Sequence, residues 1–590
     1  MCGIAGFTHR RIVPERGRIQ DALGGLIDRE AGSSGVYESV AASLGAAGSR
    51  PLASSDGDTV VVFHGALYNR GELAVELEHR GHRLLTGSDA ETLLAAFRQW
   101  DTGCFARLRG MFAVALWSDS ARRLVLARDR MGIQPLYLAR HCGEMYFGSE
   151  LEAIFAHPEI DRRLSLAGLD CYLSLNYLPC PWTLAEGVEK LPPAHWLEWR
   201  DGAVRSQAYW RLPDAAAPQP FWTLESARSE LDSLLKQSMR EHLRADAPVV
   251  VWLNGAIDSS TALHYAASAA SGPLRTFSIG SSDSIRQLVA EYGTVHQQLD
   301  WSPQLDPSDI APGGDAAALP FWLMARSTRR ADFAALAGAG CDELFGGRPA
   351  YRGDAMARRL RRFPRPLLRL AAPFSRRFLE GCLLPPEQAH VYWTGALTPA
   401  QKRALAMPLP PALRGTLADL AASGPSLPAW LAFDQRYYLP DNLLAYSAGA
   451  RQPFLDHRIV EFAAALPAEL KMRGSQQNIL PRELMKGKLP ADILRGRRPA
   501  DGSPVGEWLR GAWRALLVDT IEAGASENAD VFHAPFLREC LRRHLERRAD
   551  FGQALWGMML LFLWMKRWRI QTIPPPEAGL EATPSIFTSV

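Results

Sequence analysis

Two short runs in this chain have the residue types and spacing to grip a polyphosphate. In the first, the apolar stretch Val249–Leu253 leads at once into Asn254-Gly255-Ala256-Ile257-Asp258-Ser259-Ser260 and then into a helix-forming segment. Small residues in such a turn let backbone N–H groups approach an anion, and the helix N-terminus adds partial positive charge, so the junction suits pyrophosphate. The hydroxyls of Ser259 and Ser260 either donate to phosphate oxygens or cap the helix, and the carboxylate of Asp258 suits Mg²⁺. In the second run, Ala337-Gly338-Ala339-Gly340-Cys341-Asp342-Glu343-Leu344-Phe345-Gly346-Gly347 again follows an apolar strand.

Loops of this kind need strands to present them. Residues 248–253, 274–279 and 333–336 read as strands, with a helix over 259–270. Strands alternating with helices imply a parallel sheet covered on both faces, with ligands at the carboxyl ends of the strands. That places Leu253, Ile279 and Ala337 at the expected ligand, beside Asn254, Gly255, Gly338 and Gly340. Earlier in the chain the β-rich runs 60–63, 112–117 and 123–127, with a helical stretch at 90–99, predict an α+β sandwich. A Pro-bearing connection around Pro213 and Pro218 separates the two patterns. The expected division is residues 1–212, residues 213–572, and a flexible tail over 573–590.

Composition narrows the class. With 47% apolar and 22% charged residues over 590 positions, the chain is enzyme-like and large enough for two cores. A net charge of +3, with basic residues spread out apart from one cluster at 358–377, does not call for nucleic acid. The longest apolar stretch, 554–565, is too short to span a bilayer and reads as a buried helix. No secretory signal is visible, so a cytoplasmic enzyme is expected. Eight cysteines without a C-x-x-C pair argue against a disulfide framework and against a zinc site.

The two loops resemble segments of the glutamine-hydrolysing asparagine synthetase family. The first is similar to S-G-G-x-D-S-S, with Asn254 for the first serine and Ala256 for the second glycine. The second is similar to S-G-E-G-x-D-E-x-F-G-G, whose aspartate corresponds to Asp342. The resemblance runs nearly end to end through Met1-Cys2-Gly3-Ile4, Arg107-Leu108-Arg109-Gly110-Met111-Phe112, Ala127-Arg128-Asp129-Arg130-Met131-Gly132, Tyr438-Leu439-Pro440-Asp441-Asn442 and Pro453-Phe454-Leu455-Asp456. It implies an N-terminal Ntn-type (class II) glutamine amidotransferase sandwich, followed by an α/β PP-loop synthetase domain like the adenine-nucleotide α-hydrolases. It also implies ATP and Mg²⁺ as cofactors, Mg²⁺ on Asp258 and Asp342, and catalytic roles around Glu343.

The resemblance is uneven. Cys2 stands at the family's glutaminase nucleophile, and Ser88-Asp89 matches the pair that holds the glutamine amino group. The N-G-E-I-Y-N stretch, however, is His64-Gly65-Ala66-Leu67-Tyr68-Asn69, which replaces an oxyanion donor and a substrate-binding glutamate. H-R-G-P-D survives only as Asp28-Arg29-Glu30-Ala31-Gly32, and the arginine segment that clamps the glutamine carboxylate is deleted near residues 45–50. Losing one oxyanion donor costs about 100- to 1,000-fold in rate, so Cys2 is expected to be vestigial. In the synthetase half, Ala339 replaces an acid and Gln477 a phosphate-binding lysine. Lys486 is the expected substitute for that charge, with Arg482 and Lys488 as alternatives.

A glutamine pocket in decay beside a surviving pyrophosphate loop is the pattern expected of relatives that take their amine from the substrate, such as the macrolactam cyclases of lasso peptide biosynthesis. The expectation is therefore an AMP-forming amide ligase acting on a peptide or small carboxylate. The implied reaction is ring closure of a ribosomal precursor in antibiotic biosynthesis, alongside a precursor-peptide protease. Glutamine-dependent asparagine synthesis and an inactive scaffold are the alternatives.

Overall fold

Strands buried on both faces are continuously apolar, and the first third of the chain is built from them: 60–62 and 111–117 are buried without a break. The computed structural model describes residues 3–9, 17–24, 26, 34–213, 221–243, 248–300, 307, 310, 314–330, 333–364, 376–424, 426–447, 449–496, 505–572 and 586. The chain divides into two compact units, Met1–Arg162 with Cys180–Arg211 and Pro575–Val590, and Arg163–Pro179 with Leu212–Pro574.

The first unit holds two six-stranded sheets paired antiparallel throughout. One runs in the order Val188–Lys190, Tyr137–His141, Glu144–Gly148, Gly3–Thr8, Ala42–Ala47, Gly35–Glu38. The other runs Ala203–Ala208, His195–Arg200, Arg123–Arg128, Gly110–Ser118, Thr59–Leu67, Leu52–Ala53. Leu44, Leu138 and Phe147 of one sheet pack with Val62, Trp117 and Leu126 of the other. The helices Arg70–His79 and Asp89–Trp100 cover the second sheet's outer face through Leu73, Leu77 and Leu93. This is the expected α+β sandwich.

Two boundaries differ from those expected. Residues 163–179 belong to the second unit, because the helix Leu166–Leu175 is buried from Gly168 onward and needs covering on all sides. Tyr172 donates to the Gly557 carbonyl at 2.9 Å and Asn176 to the Gln553 carbonyl at 2.7 Å, both on helix Gly552–Trp568. At the other end, Ile586 is 7% exposed and its N–H donates to Glu189 at 2.9 Å, so the tail is not loose at that residue. The rest of 573–590 lies outside the described residues.

The second unit carries a four-stranded parallel sheet in the order Val295–Leu299, Arg275–Ile279, Val249–Leu253, Ala334–Leu336. From Val249–Leu253 the chain steps outward twice to one side, then returns to the opposite side for Ala334–Leu336. The switch point therefore lies between these two strands, where the connections leave in opposite directions and open a crevice at the carboxyl ends. Beyond it the unit is helical, with a π-helical stretch at Asp434–Leu443 that contains Pro440. The apolar stretch 554–565 lies within the buried helix Gly552–Trp568. Among the described residues no helix is long and apolar enough to cross a membrane.

Candidate active site

Gly338 is where the two loops meet. A Cβ there would sit 2.5 Å from the carbonyl carbon of Asp258 and 2.7 Å from the Ser259 nitrogen, so the backbones touch and only glycine permits the approach. The first loop is tied internally. Asn254 Oδ1 accepts from the Ala256 N–H at 2.9 Å and from Ser259 Oγ at 2.5 Å, an Asx-type turn that replaces the small polar turn of the family pattern. Gly255 makes the bend at φ +72°. Ser260 departs from expectation: it is fully buried and its hydroxyl donates back to the Ala256 carbonyl at 2.7 Å, one turn earlier in its own helix.

The second loop is held from several sides. Gly340 at φ +97° and Gly346 at φ +73° bracket the helical turn Cys341–Phe345. Asp342 Oδ1 accepts from Asn478 Nδ2 at 2.7 Å, and the Gly347 N–H closes onto the Asp342 carbonyl at 2.8 Å. Burial, reinforced by the carboxylates of Asp342 and Asp258, pushes the Cys341 thiol far above its ordinary range, so both acids act on one locality.

A half-open cavity lies at this junction. Trp252, Leu253, Ile279, Ile285, Phe321 and Met324 give it an apolar wall suited to a purine base. Asn254, Asp258, Ser259, Ser281 and Ser282 give it a polar end, and Pro320, Ala337, Gly338 and Ala339 complete the lining. Leu253, Asn254, Asp258, Ser259, Ile279, Ala337 and Gly338 are thus brought together as expected. Gly255, Gly340 and Asp342 belong to the two loops but are not among the lining residues. Sequence reasoning missed Phe321 and Met324, because their spacing on helix Leu319–Arg330 says only that they share a face, not that the face meets the sheet's end.

The expected substitute cation is not at this junction. Lys486 is 73% exposed and pairs with Glu483 at 3.6 Å, Lys488 pairs with Asp232 at 3.3 Å, and Arg482 donates to the Leu494 carbonyl. Gln477 instead ties the second loop, donating to the carbonyls of Gly346 and Arg348 at 3.2 and 2.6 Å. Lys486→Ala is accordingly expected to change steady-state pyrophosphate release by less than about twofold, since an exposed charge is screened by solvent and salt.

Glu343 belongs to a different constellation. It is 3% exposed, and its carboxylate lies 3.9 Å from Arg348 Nε. Burial outweighs the attraction of Arg348 and raises its pKa to about 8. Arg348 also donates to Asp434, with its guanidinium 3.3 Å from the centroid of the Tyr438 ring. Asp434 in turn accepts from Tyr351 at 2.6 Å and from His390 Nε2 at 3.2 Å, and His390 Nδ1 donates to Asp354 at 2.5 Å. Burial opposes charge on His390, yet Asp354 and Asp434 together lift its pKa to about 9. Nothing in the spacing of residues 348, 354, 390 and 434 announces this chain of charges.

In the first unit, Cys2 and the Asp28–Gly32 stretch lie outside the described residues. His64 Nδ1 is 3.4 Å from Ser149 Oγ, which accepts from the Ile4 N–H at 3.0 Å. Asp89 accepts from the Leu67 N–H at 3.0 Å and lies 3.7 Å from Arg70. Residues 42–47 form a strand where the arginine segment is missing.

Two loops in backbone contact at a topological switch point agree with what sequence comparison returns: residues 230–569, more than half the chain, match the family model for asparagine synthase. The chain belongs to the asparagine synthase family. Residues 1–210 match a glutamine amidotransferase domain. Glutamine-hydrolysing asparagine synthetase 1 of Bacillus subtilis (strain 168) is 26% identical over 556 residues, covering 88% of this chain and 87% of that protein. Glutamine-hydrolysing asparagine synthetase 3 of the same organism is 26% identical over 550 residues, covering 83% and 85%. Amidase chry2 of Gibberella zeae is 31% identical over 231 residues, covering 37% of this chain and 32% of that protein.

Family membership makes the chain an ATP-dependent, AMP-forming amide ligase that works with ATP and Mg²⁺. The donor set fits. Mg²⁺ is commonly held by one or two carboxylates plus phosphate oxygens, and Asp258 in the lining and Asp342 on the adjoining loop are the carboxylates that would hold it. Among the described residues no group of three His, Cys, Asp or Glu side chains forms a cage that would hold a metal without such phosphates.

Proposed function

We propose that this ligase closes an amide ring on a short ribosomal precursor peptide. A side-chain carboxylate of the peptide displaces pyrophosphate from the α-phosphate of ATP to give an acyl-adenylate. The peptide's N-terminal amine then attacks the acyl carbon, AMP leaves, and the amine's surplus proton is released. The apolar wall from Trp252 to Met324 orients the base, the Asn254–Ser259 turn and its helix receive the pyrophosphate end, and Asp258 and Asp342 would hold Mg²⁺.

The observation that carries the reading is Ala339. It lines the cavity with a methyl group where the resemblance calls for an acid, and its N–H is committed to Gln452 Oε1 at 3.1 Å. His64 at the oxyanion position supports the same reading, since an enzyme supplied with its amine by the substrate has no use for glutamine hydrolysis. The names of the B. subtilis relatives and the match of the whole N-terminal domain favour a second reading, glutamine-dependent asparagine synthesis.

Pyrophosphate release measured with ATP and Mg²⁺ separates the two. A leader-cleaved precursor peptide is expected to stimulate release and to lose the mass of one water. Asparagine formed from aspartate and glutamine, with no response to peptide, would replace this reading with the second.

A further inference from the structure

We propose that His390 is a positioning residue for the Mg²⁺-binding loop, setting the place of Asp434 and Arg348 and through them the aim of Asp342. This rests on the nucleotide reading above. The contacts form one continuous path. His390 Nε2 meets Asp434 at 3.2 Å, Asp434 accepts from Arg348, and Arg348 lies 3.9 Å from Glu343. Glu343 is the neighbour of Asp342 in the same five-residue turn. The next residue of the π-helical stretch, Gln435, donates to the Glu343 carbonyl at 2.8 Å, so Asp434–Gln435 grips that turn through both side chain and backbone.

His390 itself has little freedom. Its ring is stacked between Tyr351 at 5.9 Å and Trp430 at 6.0 Å, with Phe433 edge-on at 6.0 Å. The ionisable groups facing it are Asp354 and Tyr351 from helix Pro349–Leu360 and Asp434 from the π-helical stretch. Asp354 is fully buried, and its second oxygen has no hydrogen-bond partner among the described residues, so His390 is the cation hydrogen-bonded to it, with Arg361 acting from farther off. A core selected for stability alone gains nothing from such a set, since apolar packing of the same volume is as stable or more so. The arrangement places one cation where it fixes the carboxylate that fixes Arg348. Because both carboxylates favour the protonated ring, the clamp persists at neutral pH.

Calorimetry of the full chain with ATP, once in excess Mg²⁺ and once in EDTA, tests this. His390→Gln is expected to weaken ATP binding about tenfold in Mg²⁺, the loss of one charge-assisted contact, while leaving binding in EDTA within about twofold. Unchanged affinity in Mg²⁺, or equal weakening in both conditions, overturns the proposal. A wild-type chain that binds no ATP in Mg²⁺ would instead remove the nucleotide reading on which it rests. Should the variant fail to fold, ¹⁵N-histidine spectra of the wild-type chain decide. The imidazolium signals of His390 are expected to shift on addition of ATP with Mg²⁺ but not with EDTA, and indifference to Mg²⁺ overturns the proposal.

Discussion

Gly338→Ala is expected to cut ATP-dependent pyrophosphate release by about 100-fold, because a displacement on the scale of an ångström at a reacting centre costs that much. The added methyl would sit 2.5 Å from the Asp258 carbonyl carbon and 2.7 Å from the Ser259 nitrogen. Backbone atoms cannot rotate aside as a side chain can, so the two loops must part. Parting them separates Asp258 from Asp342 and tilts the helix N-terminus proposed to receive the pyrophosphate. Gly415→Ala, at a helical glycine with open space around it, is the matched control and is expected to leave the rate unchanged. Wild-type release from Gly338→Ala would mean that the junction of the loops is not where the chemistry occurs.

Asp434→Asn is expected to destabilise the second unit by about 3–5 kcal/mol, the usual consequence of removing one partner from a buried charge set. It would leave the Arg348 guanidinium, 7% exposed, with Glu343 at 3.9 Å as its remaining carboxylate. Urea unfolding followed by tryptophan fluorescence reads the change. Glu539→Gln, which breaks an exposed pair with Arg542, is expected to move nothing measurable.

The pH dependence follows from His390. Its pKa is raised from 6.5 unfolded to about 9 folded, so its contribution is fully present below pH 6.5 and is lost as pH rises through 9. The wild-type advantage over Asp434→Asn should therefore shrink across that interval. A constant difference from pH 6 to pH 9.5 would show that His390 is not held charged.

The order of elements and the two loops were legible from the residues because each depends on local signals. Val249–Leu253 ends in a small polar turn, and the turn is read from the adjacent residues Asn254 and Gly255. The same locality explains where the reading went astray. Ser260 carries the same hydroxyl as Ser259, and only the helical register sets Ser259 at the cavity, bonded to Asn254 Oδ1, while Ser260 is fully buried on the Ala256 carbonyl. Lys486 has the charge a phosphate would attract, but the end of helix Ile479–Met485 directs it to Glu483 and solvent. Helix Leu166–Leu175 precedes the change of pattern along the chain, yet its buried circumference is satisfied by partners far later in it, from Lys402 and Leu413 on Asp170 to the Gly557 carbonyl on Tyr172.

The sequence by itself determined the family, the two-part plan, the parallel sheet and the positions of the two small-residue loops, all of which follow from short-range residue order. Only the tertiary structure decided that Gly338 lies on Asp258, that Phe321 and Met324 wall the cavity, and that Asp354, His390, Asp434, Arg348 and Glu343 form one buried chain. These residues lie up to 91 positions apart, between Glu343 and Asp434. Charges at such separations carry no periodic signature. They become a single electrostatic unit only when burial removes the solvent that would otherwise screen them.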